Sequence, residues 1–149
     1  MSRLRSWGVT AAVAMVVGMV TSGATYAASP TDEAPEPLGP GEVTIEVGMK
    51  YTQFDVEEIR VRPGTRVRFV LENEDPIAHE MIVGDEFVHA QHAQATHAEH
   101  PPVPGEVSVE PLDTAVTTYE FDDPGTIEFA CHLPGHYDYG MHGEIVVTD

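Results

Sequence analysis

Apolar and polar residues alternate along several short segments of this 149-residue chain. Val43, Ile45 and Val47 lie two residues apart, and so do Val67 and Phe69. Because successive side chains of a strand point to opposite faces, this period of two predicts half-buried β-strands. The same reasoning places strands at 43–47, 56–61, 66–71, 79–83, 106–109, 115–121, 126–131 and 143–148.

Turn residues separate these segments. Pro63-Gly64 precedes the third predicted strand, and Pro124-Gly125 separates two later ones. Seven or eight short strands joined by turns indicate an all-β fold, a Greek-key sandwich or barrel. We expect no helix of ten residues in this part of the chain and no internal repeat.

The N-terminal segment has the layout of a secretory signal peptide. Arg3 and Arg5 are basic, an apolar stretch follows at 9–20, and small residues flank Tyr26. We expect cleavage after Ala27, so the protein is exported to the periplasm or the extracellular space. The alternative is an uncleaved membrane anchor, because 7–28 approaches the ~20 uncharged residues that span a bilayer.

Residues 28–41 are rich in Pro and acidic residues and are expected to form a disordered leader. The remainder, 42–149, has the size of one domain with one core. Loss of Arg3 and Arg5 with the signal takes the net charge from −18 to −20, with histidines neutral. Such a charge argues against nucleic acid or an anionic membrane surface as a partner.

Three metal-binding side chains lie close together near the C-terminus. Cys131, His136 and Met141 are spaced five residues apart in a segment that contains Pro and Gly. A thiolate, imidazole and a weak thioether are the ligands of copper in electron-transfer sites. Such a site needs a second imidazole, and His79 is placed to supply it. The pattern predicts one copper ion.

The alternative for each residue alone is a structural role, since cysteine and methionine commonly fill apolar cores. For Cys131, export makes a purely structural role less favoured. Exported proteins usually pair their cysteines in disulfides, and Cys131 is the chain's single cysteine, without a disulfide partner within it. One cysteine also excludes a dinuclear copper centre bridged by two thiolates. No His-X-His pair occurs, which argues against a multicopper oxidase and against an enzyme.

Two stretches resemble the cupredoxins, the small blue copper proteins that include plastocyanin, azurin and auracyanin. The first is 73–87, where Pro76 and His79 precede apolar residues and an acidic turn, and the second is 125–143. The resemblance covers most of the predicted domain. It implies a type 1 copper site with the ligands His79, Cys131, His136 and Met141. Glu80 stands where plastocyanins usually carry Asn, whose hydrogen bonds tie the two ligand segments together.

A second group of histidines lies in 87–104, an unusually long connection for a small β domain. Its members are His89, His92, His97 and His100. They form either a weak additional copper or zinc site or a polar loop without a specific role. His132 and His142 directly follow predicted ligands, so we expect their side chains to point away from the site.

Two functions compete on these observations. The first is an electron carrier, a monomer that docks on a redox partner with a basic face. The second is a copper-handling protein for sequestration, resistance or delivery, in which additional histidines are useful. Of the two, the ligand pattern favours electron transfer.

Overall fold

The computed structural model describes residues 34–94 and 103–149. The predicted signal peptide and residues 28–33 of the leader lie outside them. Within these residues the elements are β1 (Gly41–Met49), β2 (Glu58–Val61), β3 (Thr65–Asn73), β4 (His79–Gly84), α1 (Glu86–Gln94), β5 (Glu106–Val109), β6 (Thr114–Phe121), β7 (Gly125–Ala130) and β8 (His142–Val147).

The strands form two sheets, which confirms the all-β sandwich. One sheet has the order β1-β3-β6, and the other has the order β2-β8-β7-β4-β5. The pairs β1–β3 and β2–β8 are parallel, and the remaining pairs are antiparallel. All eight predicted strands are present, with ends that differ by two residues at most.

The core lies between the two sheets and follows from the alternation. Along β3, the side chains of Val67, Phe69 and Leu71 are fully buried, and those between them are more exposed. The opposite sheet contributes Phe129, whose ring meets the Phe54 ring edge-on with centroids 5.2 Å apart. The fold therefore rests on apolar side chains that the period of two places on the inner faces.

The ordered domain begins earlier than predicted. Leu38, assigned to the disordered leader, forms a parallel bridge with Val61 and exchanges backbone hydrogen bonds with Arg60 and Arg62. The Arg62 guanidinium also donates to the carbonyl oxygens of Pro37 and Gly39. Pairing along the edge of β2 supplies contacts that the polar composition of the segment does not reveal.

The connection after β4 contains the nine-residue helix α1, where the sequence predicted a long loop. Asp85 caps its first turn, because the Val88 amide donates to the Asp85 carboxylate over 3.0 Å. Val88 packs against Gly84, and the His89 side chain is buried. The helix has no apolar stripe, so its pattern gave no helical signal. Among the described residues, no helix is long and apolar enough to cross a membrane.

Candidate metal centre

The two ligand segments meet at one end of the five-stranded sheet. β4 and β7 are antiparallel neighbours, with Ile82 opposite Ala130. The start of β4, where His79 lies, is therefore close to the end of β7, which Cys131 follows directly. Strand pairing thus joins residues that are about fifty positions apart in the sequence.

His79, Cys131 and His136 form a compact group of donor atoms. The Nδ1 atoms of His79 and His136 are 3.2 Å apart, and Cys131 Sγ is 3.3 Å from His136 Nδ1. One ligand atom from each residue lies within 4.8 Å of the others. Two imidazole nitrogens and one sulfur at these separations fit a single copper ion. This is the only such group of three within the described ranges 34–94 and 103–149.

The thiol of Cys131 is held in apolar surroundings. Burial raises its pKa to about 11, against the backbone amides of Glu80 and Leu133, which lower it. The side chain has no exposed surface. Because metals bind the thiolate, a bound metal must displace a proton that the folded chain otherwise retains.

His136 lies nearer the surface than the other two. Burial, and then the neighbouring His79 ring, lower its pKa from the usual value near 6.5. A lowered pKa favours the neutral ring, which is the form that binds metals. His136 is only partly buried, whereas His79 and Cys131 have no exposed surface.

Asp75 fixes the orientation of His79, a role that was not predicted from the sequence. The Asp75 carboxylate lies 2.9 Å from His79 Nε2 and accepts hydrogen bonds from the amides of Tyr51 and Thr52. Burial acts to raise the pKa of Asp75, but these amides and the His79 ring outweigh it and hold the pKa below its usual value. A carboxylate four residues before a candidate ligand was the available signal. Carboxylate–histidine pairs of this kind orient metal ligands.

Glu80 links the two ligand segments in place of the usual Asn. Its carboxylate accepts a hydrogen bond from the His132 amide over 2.9 Å. The side chain is buried, so this bond is shielded from water. The substitution therefore retains a tie between β4 and the segment after β7.

Met141 is fully buried, and backbone hydrogen bonds place it beside the other candidates. The Cys131 amide donates to the Met141 carbonyl, and the Met141 amide donates to the His136 carbonyl. These bonds close residues 131–141 into a compact loop, which we call the ligand loop. The loop is further held by Tyr137, whose hydroxyl donates to Glu128 on β7.

The other histidines within the described residues lie outside the donor group. His132 Nε2 is 2.8 Å from Nδ1 of His89 on α1, and His142 is exposed and stacks on Tyr137. His92 lies on α1 with Nε2 3.2 Å from a Glu106 carboxylate oxygen. His97 and His100 fall in 95–102, outside the described residues.

Comparison with known proteins gives consistent matches. A model of the copper-binding plastocyanin/azurin family matches residues 41–148. The copper-resistant cuproprotein CopI of Rubrivivax gelatinosus is 36% identical over 135 residues, covering 84% of this chain and 82% of the relative. CopI of Pseudomonas aeruginosa is 31% identical over 170 residues, covering 89% and 93%.

A solved structure agrees with these relatives. Auracyanin A of Chloroflexus aurantiacus, a blue copper protein, superimposes with a TM-score of 0.60 at 28% identity. The match covers 72% of this chain and all of auracyanin A. The two-sheet fold, the donor group at the end of β4 and β7, and these matches lead to one conclusion: the chain belongs to the plastocyanin/azurin family of copper-binding proteins.

Proposed function

We propose that this protein is an exported type 1 copper protein that exchanges single electrons in the service of copper resistance. The proposed ligands are His79, Cys131, His136 and Met141. The observation that carries the proposal is the donor group of two imidazoles and a buried thiol, with the Met141 backbone hydrogen-bonded to two of its members.

The chain's own contacts suit a site that changes little during electron exchange. A copper ion bound here supplies a one-electron couple between Cu(I) and Cu(II). Asp75 holds the His79 ring, and the Cys131 side chain is fully buried, which limits its movement. With these side chains held in place, a bound copper ion would exchange an electron with little movement of the protein around it. The partly exposed His136 ring offers a route for electrons to a partner.

The names of the relatives support the second of the two functions, copper handling. Both long matches are named copper-resistant cuproproteins. This favours a role in copper resistance, with electron exchange as the chemistry of the site. An electron carrier that docks on a basic redox partner is the second candidate, and the partly exposed His136 ring favours it.

The site assignment is tested by replacing the thiol. Wild-type protein is expected to bind one copper ion with a strong visible absorption when oxidised, and Cys131→Ser is expected to lose that absorption, because a hydroxyl is a poor soft donor. Met141→Leu is the matched comparison, since a weak axial ligand can be removed with retention of copper and colour. An intense band that survives Cys131→Ser contradicts the assignment.

The two functions are separated in cells of the source organism. A strain that lacks the gene is expected to grow poorly at raised copper concentrations, and the wild-type gene, but not Cys131→Ser, is expected to restore growth. Normal copper tolerance in the deletion strain, together with impaired respiration or photosynthesis, would instead support the electron carrier.

A further inference from the structure

A second pair of histidines faces each other outside the type 1 centre. His89 Nδ1 on α1 and His132 Nε2 on the ligand loop are 2.8 Å apart. In the sequence, His89 belongs with the histidines of 87–104, and His132 was expected only to point away from the type 1 site. Folding brings these two rings together across 43 positions.

The hydrogen bond made by His89 Nε2 determines whether Nδ1, which faces His132, carries a hydrogen or a lone pair. Nε2 of His89 is 3.2 Å from the Glu128 carbonyl oxygen, which only accepts hydrogen bonds. Nε2 therefore carries the hydrogen in the neutral ring, and Nδ1 presents a lone pair towards His132. Metal-binding histidines are commonly held in this way, with the second ring nitrogen donating to a carbonyl or carboxylate.

The arrangement resembles that of the candidate ligands His79 and His136. There the outer nitrogen of His79 is held by Asp75, and the inner nitrogens are 3.2 Å apart. Copper(II) favours tetragonal geometry, in which two adjacent metal–nitrogen bonds of about 2.0 Å place their nitrogens roughly 2.8 Å apart. The facing nitrogens of His89 and His132 already lie 2.8 Å apart, so one ion can replace the shared hydrogen with little movement of the rings.

The surroundings favour a cation. Glu128 Oε2 is 3.9 Å from His89 Nε2. His92 lies three residues after His89 on the same face of α1, with its ring nearly parallel to that of His132 at 6.3 Å between centroids. In this structure its Nε2 contacts Glu106, so its use as a third ligand requires the ring to turn away from that carboxylate. His89 and His132 also line a surface cleft of about 820 Å³, which gives an ion direct access from solvent.

We propose that His89 and His132, with His92 as third ligand, form a second copper(II) site. An all-imidazole site binds copper(II) in preference to the other common divalent ions. Without a thiolate, this ion is expected to be nearly colourless and more readily lost than the type 1 copper. His132 follows Cys131 directly, so a single peptide unit joins a ligand of one site to a ligand of the other.

The test adds copper(II) to protein that already holds one equivalent in its coloured form. Equilibrium dialysis and electron paramagnetic resonance are expected to show a second ion with nitrogen ligands and an unchanged visible band. His89→Gln is expected to weaken this second ion at least about tenfold, the smaller effect seen even for outer-sphere partners. Retention of the visible band shows that the variant is folded and keeps failure of this proposal separate from failure of the type 1 assignment.

The matched control is the double variant His97→Gln/His100→Gln, which removes two histidines from the same region of the sequence and leaves the facing pair. It is expected to keep the second ion. No second equivalent in wild type, unchanged binding in His89→Gln, or equal weakening by both replacements would overturn the proposal. The last result would mean that binding is spread along the segment.

Wild-type crystals with two equivalents of copper decide the matter if His89→Gln loses its visible band. An anomalous-scattering peak between His89 Nδ1 and His132 Nε2 would support the site. A second peak elsewhere, or none, would refute it.

Discussion

At the scale of single residues, the two candidate imidazole ligands differ in their surroundings, because the Asp75 carboxylate contacts His79 but not His136. The Asp75 carboxylate is tied by two backbone amides, so it stays in place beside the His79 ring. His136 instead has its ring partly exposed. The full negative charge close to His79 makes that imidazole a better donor to copper(II) than to copper(I).

Asp75→Asn is therefore expected to raise the reduction potential. Outer-sphere partners change metal affinity by about 10–100-fold. If that loss falls on copper(II) alone, the potential rises by roughly 60–120 mV, at 59 mV per tenfold for one electron. Voltammetry of the coloured protein measures the shift.

Asp123→Asn provides the control for charge. Asp123 precedes β7 at the end opposite Cys131, so it lies about 20 Å along the strand from the site. The same loss of one charge at that distance is expected to leave the potential nearly unchanged. Equal shifts in both variants would show that general electrostatics, rather than the Asp75–His79 contact, sets the potential.

At the scale of elements, the junction between the ligand loop and β8 depends on close packing at Gly143. A Cβ added to Gly143 would lie 2.3 Å from Cζ of Phe129 and 2.6 Å from the Glu57 carbonyl oxygen. The Phe129 ring is fully buried against Phe54, so it has little freedom to move. This close approach fixes where the chain leaves Met141.

Gly143→Ala is expected to destabilise the metal-free protein by about 1–3 kcal/mol, the usual cost of overpacking a core. Urea unfolding followed by fluorescence measures the change. The control is Glu144→Ala, because Glu144 is the next residue along β8 and is exposed. Its free energy of unfolding is expected to stay within about 0.5 kcal/mol of the wild-type value. A Gly143→Ala protein as stable as wild type would mean that β8 shifts freely relative to Phe129.

At the scale of the whole molecule, acidic charge dominates. Lys50, Arg60, Arg62 and Arg66 each form an ion pair with a glutamate, and these pairs are largely exposed. Exposed pairs add little stability. They do occupy four of the five basic side chains in residues 28–149, so the many remaining carboxylates set the field that an approaching partner meets.

We expect this field to steer cationic redox partners. Stopped-flow oxidation of the reduced protein by a cationic complex should slow at least about tenfold between low and physiological salt. The reason is that the Debye length falls from about 30 Å at 0.01 M to about 8 Å at 0.15 M. An anionic oxidant is the control and should speed up. The same salt response for both reagents would show that the acidic charge does not reach the site.

The period of two was sufficient to predict the sandwich from the sequence. A strand that buries one face must place an apolar residue at every second position, so the alternation alone predicts β1 and β3. Short-range spacing likewise indicated Cys131, His136 and Met141 as candidate ligands, because one loop carries all three. The helix α1 was missed because a capped nine-residue segment without an apolar stripe has no period to detect.

What the sequence determined by itself was the alternation of the strands and the donor types on one loop. The tertiary structure decided which distant residues meet. Pairing of β4 with β7 brings His79 to Cys131, the turn at Tyr51 brings two amides to Asp75, and packing of α1 brings His89 to His132. These contacts depend on strand register and on how the elements pack. Both are set by interactions between distant segments, so the local periodicity of the sequence does not predict them.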